Sequence, residues 1–251
     1  LVYSKIKSKE ASEKIVYNTL TVPVRERFQL VLADGTKVFL NSGSEMRYPE
    51  RFGKARREVF LKGEAWFEVA KDSAREFWVH AGAMDVKVLG TSFNVKAYER
   101  LETVATTLVE GSVEVACAGK SFQIVPGEQF VYDKNNRVMD VRMVDTESYV
   151  SWKDGYYKFR QTTLEEIMET LSVWYGLNVF YVNESAKQVE FTGKVKRYED
   201  ARMLLDKFEQ TGDVVFDIKG NNVFITIKQK KPFAREWNSF LVKARGMVWQ
   251  S

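Results

Sequence analysis

The sequence predicts a β-rich N-terminal domain, solenoid- or sandwich-like, followed by a small α+β domain with duplicated βαβ-like halves. Three observations carry this. Between Phe28 and Tyr132, short β-rich runs recur at about ten-residue spacing, cut by Gly-bearing turns. From Trp152 onward the apolar period switches, twice, to that of an amphipathic helix. With 251 residues, 45% of them hydrophobic, the chain can bury two ordinary cores, and 29% charged residues do not make a disordered chain.

The elements follow in order. Residues 1–20 begin LVYSKIKSKEASEKIVYN, Lys- and Ser-rich, and read as a tether following a membrane span that lies outside this sequence. Residues 21–150 form the β-rich domain. Its runs alternate, as in Val86/Val88, Val95/Ala97, Val104/Thr106/Leu108, Val113/Val115 and Phe122/Ile124, so one face is buried and one is wet. REVFLK and AWFEVA read as two strands separated by Lys62-Gly63. Periodicity does not choose between sandwich, barrel and solenoid.

Residues 151–228 form the α+β domain. GYYKF is a strand, and TTLEEIMETLSVWYG is a helix. Thr162 and Thr163 are its N-cap candidates, each with a Glu three residues on. Leu164, Ile167, Met168, Leu171, Trp174 and Tyr175 make its apolar stripe. LNVFYV and VEFTGKV are strands. YEDARMLLDKFEQTG is a second helix, with Glu199 and Asp200 in its first turn and a stripe of Ala201, Leu204, Leu205 and Phe208. VVFDI and VFITI close the unit around Gly220-Asn221. These elements complete a core locally, so 152–228 reads as a separable folding unit. Residues 229–251 are an unassigned basic tail.

The chemical inventory is thin. The net charge of +4 is mild, and the basic stretches KARR (54–57) and IKQKKPFAR (227–235) are interrupted and read as solvated surface. No nucleic-acid partner is expected. No run reaches the ~20 apolar residues of a membrane span. Cys117 is alone, so no internal disulfide forms, and its place in VEVAC reads as a buried thiol. His80 is the one histidine, and with Cys117 distant there is no metal site, catalytic triad or Cys-His pair. His80 reads as a core or surface residue. No phosphate loop or dinucleotide fingerprint is present, and no cofactor is expected. Glu64, Glu68 and Asp72 lie in LKGEAWFEVAKD, and Glu64 and Glu68 share one strand face. A carboxylate pair can run a glycosidase, but acidic residues on a wet face are ordinary. Trp66 and Trp78 can stack on sugars or fill a core. In VLGTSFNVKAY (88–98), Gly90-Thr91-Ser92 with Asn94 reads as architecture, with Gly90 supplying an unusual φ/ψ and the polar side chains satisfying turn backbone.

Several segments together carry a resemblance. They are NTLTVPVRERFQLVLADGTKVFLNSGSEMRYPERF (18–52), REVFLKGEAWFEVAKD (57–72), FWVHAGAMDVKVLGTSFNVKAY (77–98), TTLVEGSVEV (106–115) and VPGEQFVYD (125–133). They continue in WKDGYYKFRQTTLEEIMETLSVWYGLNV (152–179) and FTGKVKRYEDARMLLDKFEQTGDVVFDIKGNNVFI (191–225). With these the chain resembles the periplasmic part of a FecR-type anti-sigma factor, in the form common in Bacteroidetes. The resemblance implies a FecR-like β domain at 21–150 and a domain like the short secretin/TonB N-terminal domain at 151–228. It implies a single-pass, non-catalytic regulator of the inner membrane, which controls an extracytoplasmic-function sigma factor through a cytoplasmic segment outside this chain. Its periplasmic part would receive a signal from the N-terminal signalling domain of an outer-membrane TonB-dependent transporter. No direct small-molecule substrate is expected. The alternative is a carbohydrate-binding or carbohydrate-active β-solenoid domain, marked by an aromatic-and-carboxylate groove.

A docking site follows from strand register. With Gly220-Asn221 as a two-residue hairpin loop, Ile218 pairs with Val223, Phe216 with Ile225, and Val214 with Ile227, all on one apolar face. The other face carries Val215, Phe224 and Thr226. Phe224 is the aromatic on a polar face, either a covered or stray Phe or a partner anchor, with 222–228 as an edge for β-augmentation.

Overall fold

β5 (Arg57–Glu68) is a twelve-residue strand that sets the layout of the larger domain. The structure is a computed structural model that describes residues 15–197 and 200–228. The basic tail 229–251 and most of the expected tether lie outside the described residues. Along β5 the chain runs through β1 (Tyr17–Thr21), β2 (Phe28–Val31), β3 (Lys37–Leu40) and β4 (Glu45–Pro49) before it, then β6 (Phe77–Ala81), β7 (Met84–Val88), β8 (Ser92–Ala97) and β9 (Thr103–Glu110) after it. β10 (Val113–Cys117), β11 (Lys120–Ile124), β12 (Glu128–Asp133) and β13 (Val138–Met143) complete one 13-stranded sheet.

The first half of β5 pairs with β4 and β6, and its second half with β3 and β8. The sheet therefore folds over on itself about this strand. One layer runs β11-β10-β7-β6-β5-β4-β1 and the other β2-β3-β5-β8-β9-β12-β13. Pairing in this domain is antiparallel except between β5 and β6, so the layout is sandwich-like rather than a solenoid of parallel coils. Between the layers sit Val38, Leu61, Phe67, Phe77, Val86, Phe93, Leu108 and Phe130.

Lys62-Gly63 does not separate two strands. Gly63 is the pivot inside one: its φ is +107°, and a Cβ there would lie 2.7 Å from the Ser44 Cα. Before Gly63 the burial of β5 alternates, and from Gly63 to Phe67 it is continuous. The second layer is thus covered on both faces from that point. Two other expectations change. Tyr17–Thr21 is not tether but β1, paired in register with β4. Arg57, in the KARR stretch read as surface, is fully buried. Its guanidinium pairs with Asp34 at 2.8 Å and donates to the Ala70 and Arg75 carbonyls.

In the smaller part, α1 (Thr146–Val150) leads into β14 (Tyr156–Thr163), α2 (Leu164–Tyr175), β15 (Asn178–Tyr181), β16 (Glu190–Lys196), α3 (Ala201–Thr211), β17 (Val214–Lys219) and β18 (Asn222–Ile227). Thr163 caps α2 by accepting from the Glu166 N–H, and Gly176 ends it at φ 69°. Asp200 caps α3 rather than lying in its first turn, and Glu199 lies outside the described residues. The element order is the expected one. The pairing does not build two βαβ units: β14 pairs antiparallel with β16, while β15 and β17 both flank β18, the former parallel. The hairpin register matches the reading residue for residue, from Ile218↔Val223 to Val214↔Ile227. The edge expectation does not hold. β18 is the central strand of its sheet, because β15 pairs along it from Asn178↔Asn222 to Tyr181↔Ile225.

The Gly90 expectation is also corrected. Gly90 is not among the left-handed glycines; its constraint is the backbone of Lys71, whose Cα would lie 2.9 Å from a Cβ at residue 90. Gly90→Ala should therefore destabilise the chain by about 1–3 kcal/mol through overpacking. Gly193→Ala, with nothing within 4 Å of its Cβ position, should be neutral or mildly stabilising. Urea unfolding midpoints of the two variants check both.

Candidate functional site at the domain interface

The covered face of β5 builds the interface. A row of paired residues crosses the second layer: Phe39 on β3, Trp66 on β5, Asn94 on β8, Thr107 on β9, Gln129 on β12 and Arg142 on β13. A second row holds Glu64, Lys96, Ala105 and Val131. The small domain sits on these rows.

At the Trp66 end the contact is closed and polar. Both Glu64 carboxylate oxygens are taken, one by the Asn41 amide at 2.6 Å and one by the Asn94 amide at 2.9 Å. The Asn94 carbonyl oxygen accepts from Trp152 Nε1 at 3.2 Å. The Asn41 carbonyl oxygen accepts from Arg197, which also donates to the Trp152 carbonyl at 3.0 Å. Arg197 is fully buried, with its guanidinium carbon 3.5 Å from the Trp174 ring centre. Asn41 thus stands between a buried cation and a buried anion and hydrogen-bonds to both. Ser42 adds a cap: its hydroxyl lies 3.3 and 3.4 Å from the Val173 and Trp174 carbonyls at the end of α2. Burial pushes the Tyr157 phenol up, with the Arg197 charge pulling the other way.

At the Arg142 end the domains part and leave a cleft of about 330 Å³. Its floor is Thr107 and Gln129, and Tyr149, Trp152 and Phe159 form part of its walls. Two ion pairs cross it, Lys96–Glu169 at 3.7 Å and Arg142–Glu166 at 3.6 Å. The Glu169 carboxyl is held above its ordinary range, first by burial and opposed by Lys96, with Glu165 and Glu166 pushing the same way as burial.

The sequence-marked residues scatter. Glu64 is in the interface, with neither oxygen free to act as a base. Glu68 accepts from Trp66 and pairs with Lys37, and Asp72 is held by Arg75 at 2.9 Å, which keeps its carboxyl below the usual range. Trp66 belongs to the small domain's core, while Trp78 lies on the far layer with Arg56 and Lys87 against its ring. His80 is beside it, 2.7 Å from Asp85. Cys117 is buried. Among the described residues no group of three or more His, Cys, Asp and Glu is placed to hold a metal. In the GTSFN stretch, Thr91 does bond turn backbone, donating to the Ser112 carbonyl, but Asn94 serves the interface instead. Val215, Phe224 and Thr226 share the outer face of the small sheet, where Phe224 stacks on Phe180 at 5.1 Å. Asn41, Ser42 and Arg197 were missed. Single polar residues in NSGS and KVKR carry no periodic signal.

The family model described as FecR protein matches residues 18–114, and that described as FecR, C-terminal matches 156–225. Two crystal structures of a protein assigned as an anti-sigma factor from Parabacteroides distasonis ATCC 8503 have the same fold, each with a TM-score of 0.76. They are 28% and 27% identical, covering 85% and 86% of this chain and 100% of their own. The chain belongs to the FecR-type anti-sigma factors. No curated protein matches it. Membership in the FecR family implies a sigma factor as partner. Among the described residues no helix is long and apolar enough to cross a membrane. The two FecR matches meet across the Arg197 network, since Asn41 and Glu64 lie in the first and Trp174 and Arg197 in the second.

Residues 152–228 do not close their core alone: it includes Trp66, with Phe39 packed against it. Asn41→Leu should cost about 1.5–3 kcal/mol, the range for a hydrogen bond to a charged group. The whole chain should unfold in one transition by both tryptophan fluorescence and circular dichroism. Two separated transitions would show that the interface couples the domains weakly.

A second expectation concerns Glu169. A carboxyl raised by folding holds its proton more tightly in the folded state, so its stabilising effect is present at low pH and lost as pH rises through the folded value. The stability of wild type relative to Glu169→Gln should fall between pH ~4.3, the free glutamate value, and neutrality. Urea midpoints across that range test it, with the difference between the two proteins removing carboxyls such as Asp133, held low by the Asn136 backbone N–H.

Proposed function

We propose that this chain is the periplasmic sensor region of an inner-membrane-anchored anti-sigma factor. It receives a signal from the N-terminal signalling domain of an outer-membrane TonB-dependent transporter. It controls an extracytoplasmic-function sigma factor through a cytoplasmic segment outside this sequence. It acts by protein–protein contact and not by catalysis. The observation that carries the docking part is an exposed apolar face on the small sheet. Phe180, Val182 and Val215 are 47%, 63% and 41% exposed, and Phe224 lies among them. An apolar cluster of that kind on a polar surface suits a partner.

The proposed site is Val215, Phe224 and Thr226, extended by Phe180 and Val182. Because β18 is central, the partner packs on this face and does not add a strand to β18. Phe224→Ala should keep the circular dichroism of wild type and weaken binding to the purified signalling domain by more than ~1 kcal/mol. Phe180→Ala should act in the same direction. Unchanged affinity in both folded variants would remove the docking site, leaving the family membership in place.

A further inference from the structure

The interdomain cleft has a lining that transporter docking on the far sheet face does not use. Its floor is polar yet closed: Thr107 and Gln129 are 1% and 3% exposed. The Gln129 amide gives one N–H to the Thr107 hydroxyl at 2.9 Å, and its carbonyl oxygen accepts from Arg142 at 3.2 Å. An amide carries a second N–H, and a hydroxyl that accepts still has its proton to give. On the opposite wall, the Ser148 hydroxyl is buried with no hydrogen-bond partner in the protein. Polar groups closed in this way are costly unless something pairs with them.

The basic groups that line the cleft are all engaged. Lys96 faces Glu169, and Arg142 faces Glu166. Lys158 is held by Asp145 and Glu147, and Lys187 pairs with Glu165. An anionic ligand would have to break one of these pairs, while Glu102 and Asp133, which also line the cleft, enter none of them and add acceptors for hydroxyl groups. The carboxylates keep unused lone pairs, and the half-buried Tyr149, with the rims of the buried Trp152 and Phe159 rings, gives the wall its apolar part. The matching ligand carries no negative charge, is rich in hydroxyl groups that both donate and accept, and has a face of C–H groups. The volume of about 330 Å³ lies at the small end of ligand clefts, ~300–1,000 Å³.

We propose that the cleft between the second layer and the small domain binds a neutral mono- or disaccharide, with Thr107, Gln129 and Ser148 as hydrogen-bonding groups and the aromatic wall stacking on the sugar ring. The occupant touches both domains, so it stabilises their packing. This goes beyond transporter docking and does not depend on it.

The test uses the whole chain. Thermal shift and calorimetric titration are run with glucose, galactose, mannose, N-acetylglucosamine, maltose, cellobiose and lactose, and with glucuronic acid and glucosamine as charged comparisons. At least one neutral sugar should raise the melting temperature, as a ligand of the folded state alone must. Gln129→Met should weaken that sugar about tenfold or more, the scale of one lost hydrogen bond. Ala105→Trp, which fills the cleft, should abolish the effect, and Phe224→Ala should leave it unchanged. The proposal is overturned if no neutral sugar in the panel shifts wild type. It is also overturned if only the charged sugars do, or if a folded Ala105→Trp variant binds as well as wild type.

Discussion

Placing a guanidinium where no water can reach it constrains everything around Arg197. Such a charge costs several kcal/mol in desolvation unless hydrogen bonds and a counter-charge surround it. Here the compensation comes from three places in the chain. Asn41 bridges to Glu64, the Trp152 carbonyl accepts directly, and Trp174 presents its ring face. None of these groups could be moved by a residue without exposing another. The network therefore specifies how the domains meet more narrowly than apolar packing alone would.

The same surface shows how one sheet face is divided. Where Glu64, Trp66 and Asn94 lie, the small domain is in direct contact. Along the same row, Thr107, Gln129 and Arg142 are left facing the cleft. There α1 and β14 contribute Tyr149 and Phe159 to the lining of the cleft. Ion pairs then span the gap instead of side-chain packing.

Sequence patterns disclosed what repeats and concealed what does not. The β18 register was legible because Gly220-Asn221 fixes the hairpin and a slip of one residue would turn Val223 and Ile225 to solvent. The caps and stripes of α2 were legible for the same reason. β5 was misread because a glycine in a run of alternating residues looks like punctuation, and only the neighbouring Ser44 backbone reveals it as a crossing point. The edge reading of β18 failed because β15 arrives from 44 residues away, and local pattern carries no trace of it. Arg57 and Arg197 look like surface cations in their own segments. Their burial is set by partners distant in the chain.

That distance has a kinetic meaning. Asn41 and Arg197 are 156 positions apart. During directional emergence of the chain, β3, β5 and β8 are available long before residue 197. Until then Glu64 must remain hydrated, and the layer that carries it cannot seal. Closing so long a loop is slow relative to local hairpins. The arrival of Arg197 is therefore the event that dries the interface, and a nascent chain stalled short of it would retain an open, water-filled sheet face.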